Sequence, residues 1–275
     1  MEIWHRLAFS NRDGVEDTIN RLGIQYKKSL DLGGGPGFFA SFQMAESDAR
    51  WPAVAELVAE KRMFDIAVTL FTPEEALSAE WIRIQPIFEQ GYPQPENKWL
   101  EATYQNGCLK CGTGLVQRAP FHIAKEPKLG KHDFVRLYWT DNILATFRVF
   151  GAFKASEFRG YEQWPVIIHP TKQPSESVAQ VYVVGETAPG LLDAPTLPTE
   201  PCPLSCPIPK FVPITRGRIR YRRDALPEGI DFVRSHEWFG SGGFGFQEIF
   251  MSNRVVRLIV EQGWRGLALH PLELV

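Results

Sequence analysis

Over the first seventy positions the apolar residues switch repeatedly between strand and helix periods. "IWHRLAF" (3–9) reads as a strand. In "NRDGVEDTINRLGI", Val15, Ile19 and Leu22 fall at helical spacing and Gly23 closes the segment. "IQYKKSL" and "GFFASFQM" read as two strands joined by "DLGGGPG", a glycine-rich hairpin turn. "SDARWPAVAELVAEKRM" is a second amphipathic helix with Ser47 or Asp48 as its cap, and "DIAVTLF" (65–71) a fourth strand. The order β-α-β-β-α-β is that of a ferredoxin-like split βαβ module. The "GGGPG" turn (33–37) has glycines of the kind that cradle phosphate. It is read as a hairpin, because it joins two strands and no Lys-Ser/Thr follows it.

The pattern then predicts a helix over "FTPEEALSAEWIRI", with Thr72 as N-cap, Pro73 at the first helical position and Glu75 closing a capping box. Glu74, Glu75 and Glu80 make its outer side acidic, which reads as a solvated face. "EQGYPQPENKW" (89–99) is a stiff polar connector. It divides the chain into a module over 1–95 and a domain over 96–275.

The larger part repeats a pattern. "FRVFGAFKASEFRGYEQWPVII" (147–168) lies over "NRVVRLIVEQGWRGLALHPLEL" (253–274) at a shift of 106 residues. Phe153 then meets Ile259, Phe158 meets Trp264, Arg159-Gly160 meets Arg265-Gly266, and Pro165 meets Pro271. Each copy reads as a helix, a turn and a short strand. Val255, Val256, Ile259 and Val260 form the buried stripe of the second helix. "LYWTDNILA" and "FGFQEIFMS" precede the helices as strands. The expected fold class is α+β, with two lobes at about 96–195 and 196–275.

Composition changes this picture little. The 275 residues are 44% hydrophobic, and a net charge of −2 gives no bulk argument for nucleic acid or membrane. Twenty-one prolines and 23 glycines favour turns and short strands. No signal-peptide pattern opens the chain and no apolar run reaches membrane-spanning length, so a soluble, cytoplasmic protein is expected.

The four cysteines form two pairs, Cys108 and Cys111 (C-x2-C) and Cys202 and Cys206 (C-x3-C). In a reducing compartment such pairs hold metal more often than they form disulfides. Four thiolates suit a tetrahedral zinc and leave no open position for catalysis, so the expected cofactor is a structural zinc. Gly112 follows Cys111 where a metal knuckle needs positive φ. Prolines flank the second pair in "PCPLSCPIP".

With "CLKCG" (108–112), "SEFRGYEQWPV" and "EQGWRGLALHPLEL", residues of about 100–275 resemble the bacterial double-CXXCG-motif family, which comprises immunity proteins of polymorphic toxin systems. The second pair departs from the pattern, reading "CPLSC". The resemblance implies a zinc-stabilised protein that binds and neutralises a cognate protein toxin.

No G-x-S-x-G, H-E-x-x-H, Walker A or Rossmann fingerprint occurs, and His5, His122, His132, His169, His236 and His270 are scattered. A non-enzymatic binding protein acting by occlusion is therefore expected. In "TRGRIRYRRD", Arg216, Arg218, Arg220 and Arg222 would share one face of a strand. That row reads as a solvated face, an anchor for an acidic protein partner, or a phosphate track; the last keeps a zinc-ribbon nucleic-acid adaptor as the alternative function. "HEWFGSGGFGF" (236–246) reads as a plain turn or as a flexible binding loop carrying Trp238, Phe239 and Phe244.

Overall fold

The computed structural model describes residues 1–30 and 37–275, so all but the last residue of the "GGGPG" turn lies outside the described residues. The chain is mixed α+β, mostly sheet, with six α-helices among the described residues. It divides into two compact units. The first is Met1–Thr72 with Ile214–Gly217, and the second is Pro73–Pro213 with Arg218–Val275. The division therefore falls near 72, where the sequence suggested 95.

In the first unit, strands β1 (Glu2–Ser10), β2 (Lys27–Leu30), β3 (Phe38–Ala45) and β4 (Phe64–Leu70) form one sheet in the order β2-β3-β1-β4. Every pair in it is antiparallel. Helices α1 (Glu16–Arg21) and α2 (Trp51–Ala59) supply Ile19, Val54 and Leu57 to a core with Leu7, Phe9, Ala40, Phe42 and Met44 of the sheet. His5 ends this buried row. Its Nδ1 lies 2.9 Å from Asp65, its Nε2 3.0 Å from Glu46, and its ring stacks on Trp51. The opposite side of β4 presents Phe64, Ile66, Val68 and Leu70, all exposed. Segment 214–217 belongs to this unit through Thr69, whose N–H and hydroxyl both donate to the Thr215 carbonyl at 3.0 Å.

The second unit opens with α3 (Pro73–Ser78) and β5 (Trp81–Pro86). The long helix expected across this stretch stops early for a tertiary reason. The Asn253 side chain donates to the Leu77 carbonyl at 2.8 Å and also to that of Ala79, satisfying the helix end, and Ile82 and Ile84 continue into a buried strand.

Two larger sheets follow. β6 (Ile143–Thr146), β7 (Tyr161–Ile168) and β8 (Pro174–Val183) make the first, in the order His122–Ile123, β7, β8, β6, Phe134–Val135. β9 (Phe232–Ser241), β10 (Phe244–Ser252) and β11 (Leu267–Pro271) join β5 in the second, in the order Gly185–Glu186, β9, β10, β5, β11; Lys210–Phe211 also pairs with β9. The strand runs β7-β8-β6 and β11-β5-β10 have matching registers. Ile143 faces Val181 as Ile249 faces Ile84, and Thr146 faces Val178 as Ser252 faces Trp81. Tyr161 faces Val183 as Leu267 faces Pro86. In the first sheet the middle strand, β8, comes after β7 in sequence. In the second sheet, β5 fills that place from far earlier in the chain.

Between the short α4 (Trp99–Thr103) and the chain end lie the two packing helices, α5 (Phe147–Ala155) and α6 (Asn253–Glu261). Val149, Phe150 and Phe153 of α5 share one core with Val255, Val256 and Ile259 of α6 and with Phe134, Phe232 and Ile82. Burying each such side chain stabilises the fold by roughly 1.5–3 kcal/mol.

Two buried aspartates then tie the halves crosswise. Asp133 N and Phe134 N donate to the Arg265 carbonyl at 2.9 and 3.0 Å, while Arg265 N donates to Asp133 Oδ2 at 3.1 Å. Asp231 N and Phe232 N donate to the Arg159 carbonyl at 2.9 and 3.1 Å, while Arg159 N donates to Asp231 Oδ2 at 3.1 Å. Each Arg-Gly turn thus grips the strand start beside the other helix. A Cβ on Gly266 (φ 111°) would overlap the Phe134 carbonyl oxygen, and one on Gly160 (φ 97°) that of Phe232. Gly160→Ala and Gly266→Ala should each destabilise by about 2–4 kcal/mol in urea denaturation, against about 1 kcal/mol for Gly263→Ala, which meets no neighbour.

Candidate metal centre

The first cysteine pair sits on a loop closed by its own backbone. Gly112 N donates to the Cys108 carbonyl at 2.8 Å, and Cys108 N donates to that of Thr113 at 2.9 Å. Four residues of this stretch, Asn106, Gly107, Gly112 and Gly114, have φ between 57° and 78°. Gly112 has a second reason to lack a side chain, since a Cβ there would overlap Gly245 N. Gly245 lies against the Cys111 carbonyl and Thr113 N in turn. The glycines of "FGSGGFGF" therefore let the knuckle press onto the β9–β10 hairpin.

The second pair makes its turn differently. Ser205 N donates to the Cys202 carbonyl at 2.9 Å, and Leu204 N points at Cys202 Sγ at 3.3 Å. Ser205 itself adopts positive φ (53°), so the left-handed residue of this knuckle lies inside the pair. This accounts for the spacing without a following glycine.

The four ligand sulfurs all lie within 4.8 Å of one another, with Cys108 Sγ and Cys202 Sγ 3.8 Å apart. Four sulfurs at about 2.3 Å from one zinc would stand about 3.8 Å apart. All four cysteines are free thiols; Cys111 is buried and the others half-buried. Cys206 donates toward Cys108, then Cys202, which pushes its thiol well above the usual range. Cys108 is held below it, first by that hydrogen bond from Cys206, and Cys202 is held below it first by the Leu204 N–H. Converging sulfurs cannot all ionise unaided; a cation removes that conflict. The cluster can therefore hold a metal ion through four sulfurs.

Lys210, which sequence reasoning did not single out, is buried beneath the site. Its Nζ donates to the Gly242 carbonyl at 2.6 Å and the Cys111 carbonyl at 3.3 Å, with Glu200 3.9 Å away. A fixed positive charge there would offset part of the negative charge of a four-thiolate centre. Also overlooked was "DFVR", which stands at 133–136 and again at 231–234 and contains both crossing aspartates. An exact tetrapeptide repeat was the available signal.

The arginine row does not form. Only Arg220–Tyr221 is strand in that stretch. Arg216 pairs with Glu46 in the first unit. Arg220 reaches Asp193 at 3.1 Å and Glu273 at 3.6 Å, and Arg222 binds Asp224 at 2.9 Å. Arg218 is half-buried and also engaged. Phe239 is 1% exposed, against Phe211 and Phe246, and so is a core residue, while Trp238 and Phe244 are half-buried on the hairpin. The segment 236–246 is thus a β-hairpin. No helix among the described residues is long and apolar enough to cross a membrane. Comparison with models of known protein families gave no match, nor did comparison with curated protein sequences.

Purified protein should carry about one divalent metal ion per chain by elemental analysis. Cys111→Ser should abolish that content and lower the melting temperature by roughly 10 °C or more, a strong chelator acting likewise. A melting curve indifferent to both would exclude a structural metal.

Proposed function

We propose that the chain is a zinc-stapled immunity protein of the double-CXXCG kind, which binds a cognate bacterial toxin domain and occludes it. The observation that carries this reading is the convergence of Cys108 and Cys111 with Cys202 and Cys206, two pairs about ninety residues apart that the resemblance requires to act together. Zinc is the metal we assign, because a closed set of four thiolates with sulfurs 3.8 Å apart suits its size, charge and tetrahedral preference.

Two architectural readings accompany it. The strand order β2-β3-β1-β4 with antiparallel pairing supports a ferredoxin-like split βαβ module in the first unit. The shared registers and crossed aspartates support a duplicated unit in the second, with β5 standing in for the strand that β8 supplies in the first copy.

Binding to a protein is favoured over nucleic acid by the surface chemistry. Arg216, Arg220 and Arg222 each have a carboxylate partner, which reduces their capacity for phosphate. The exposed apolar row Phe64, Ile66, Val68 and Leu70 suits the apolar surface of a protein partner. Occlusion needs tight binding and no catalytic group.

Co-expression with the toxin domain encoded beside the gene should restore growth and yield a co-purifying complex. Val68→Asp should weaken the rescue while leaving the melting temperature within about 2 °C. Lack of both rescue and complex would remove the immunity reading, and salt-sensitive retention on DNA in its place would favour the nucleic-acid adaptor.

A further inference from the structure

A cavity of about 510 Å³ opens in the second unit, between side chains of both its sheets. Trp99, Tyr104, Trp139, Tyr182, Trp238 and Phe246 supply its aromatic walls. Its volume lies within the roughly 300–1,000 Å³ typical of small-molecule sites. Trp139 stands at its mouth, 59% exposed and at φ 64°, a left-handed conformation that a bulky residue rarely adopts.

Four neutral polar side chains of the lining bond to one another. The Gln117 and Gln180 amides bond reciprocally at 2.8 and 2.7 Å, Gln180 donates to Asn142 at 2.9 Å, and Asn142 donates to the Tyr104 hydroxyl at 3.1 Å. Arg234 and Asp141 are the charged residues of the lining, and Arg234 Nε has no hydrogen-bond partner among the described residues. Arg83 pairs with Glu248 at 3.1 Å, Arg136 with Glu89, and Arg234 approaches Glu186 at 3.9 Å. Asp141 shares its cation, Arg136, with Glu89. Arg136 reaches its Oδ1 only at 3.5 Å, and its Oδ2 is shut from water with no hydrogen-bond partner among the described residues.

We propose that this cavity binds a small organic ammonium ion, its charged nitrogen against Asp141 and its apolar body against the tryptophan and tyrosine rings. Aromatic faces attract cations through their quadrupoles, and most strongly where water is excluded. One positive charge would complement the carboxylate oxygen, Oδ2, that no hydrogen-bond donor among the described residues reaches. Burial, and after it the negative charge of Glu248, push the Asp141 carboxyl up to about 7, with Arg136 pulling it down and Glu89 pushing it up. A cation that prefers the ionised carboxylate therefore binds more tightly as pH rises toward 7, by about tenfold per pH unit, and levels off above it.

The test is isothermal titration of the purified full chain with phenyltrimethylammonium, beside benzyl alcohol and phenylacetate as neutral and anionic counterparts. Saturable one-to-one binding of the cation is expected, with both counterparts at least about tenfold weaker. Asp141→Asn should weaken the cation at least about tenfold and flatten the pH dependence. That variant should still fold. The wild-type carboxyl titrates higher folded than unfolded, so its contribution is lost as pH rises from about 4 through 7, and the variant should gain in relative melting temperature across that window. Trp139→Ala, at the exposed rim, should also weaken binding without lowering the melting temperature. Absence of saturable cation binding, equal binding of benzyl alcohol, preference for phenylacetate, or an unchanged affinity in Asp141→Asn would each overturn the proposal.

Discussion

Two buried aspartates hold the second unit in register. Asp133 and Asp231 each accept the backbone N–H of an arginine from the opposite Arg-Gly turn, while the backbone of that arginine accepts two N–H groups in return. A buried carboxylate without such donors would cost several kcal/mol of desolvation. Each aspartate therefore strongly favours the arrangement in which both turns are in place. Arg148 and Arg254, at corresponding positions on α5 and α6, add a guanidinium to Asp133 and Asp231 respectively. The apolar core between the two helices is generic by comparison. Valines and phenylalanines reward burial in many alignments, whereas these hydrogen bonds accept one.

The cysteine cluster builds on this frame. Its first knuckle rests on the β9–β10 hairpin through a Gly112–Gly245 contact that leaves no room for a Cβ, with Gly243 close to the Lys110 carbonyl beside it. Its second knuckle leads into Lys210–Phe211, which pairs with β9. Each half of the site is thus attached to the same strand pair. The metal would lock a convergence that the sheet has already brought about. The same hairpin contributes Trp238 and Phe246 to the cavity, so centre and cavity share one support.

The glycine-rich segment and the arginine row show how little composition says about geometry. Glycines among aromatics suggest mobility, yet here they permit close backbone packing. Alternating arginines suggest a charged strand face, yet the chain turns within the row and gives Arg216 and Arg220 carboxylates from distant segments. In both cases the local pattern names the chemistry of the side chains. What it lacked was the partner, which for Gly112 and Gly245, Arg216 and Arg220 lies more than twenty residues away, Arg222 alone of these finding one nearby in Asp224.

Much of the molecule was nonetheless written in order along the chain. Strands β1, β3 and β4, helices α1 and α2, the two later helices and the Arg-Gly turns follow from short periods of apolar residues and from glycines that local geometry requires. The pairing of cysteines by spacing was also legible, because a tight turn needs only neighbouring residues. Tertiary structure alone decided that α3 ends at Ser78, where Asn253 caps it, and that β5 enters a sheet with strands more than 160 residues later. It alone left Asp141 Oδ2 without a hydrogen-bond partner among the described residues. Those features depend on hydrogen bonds and charges between remote segments, and a periodicity, being local, carries no record of which remote segment will arrive.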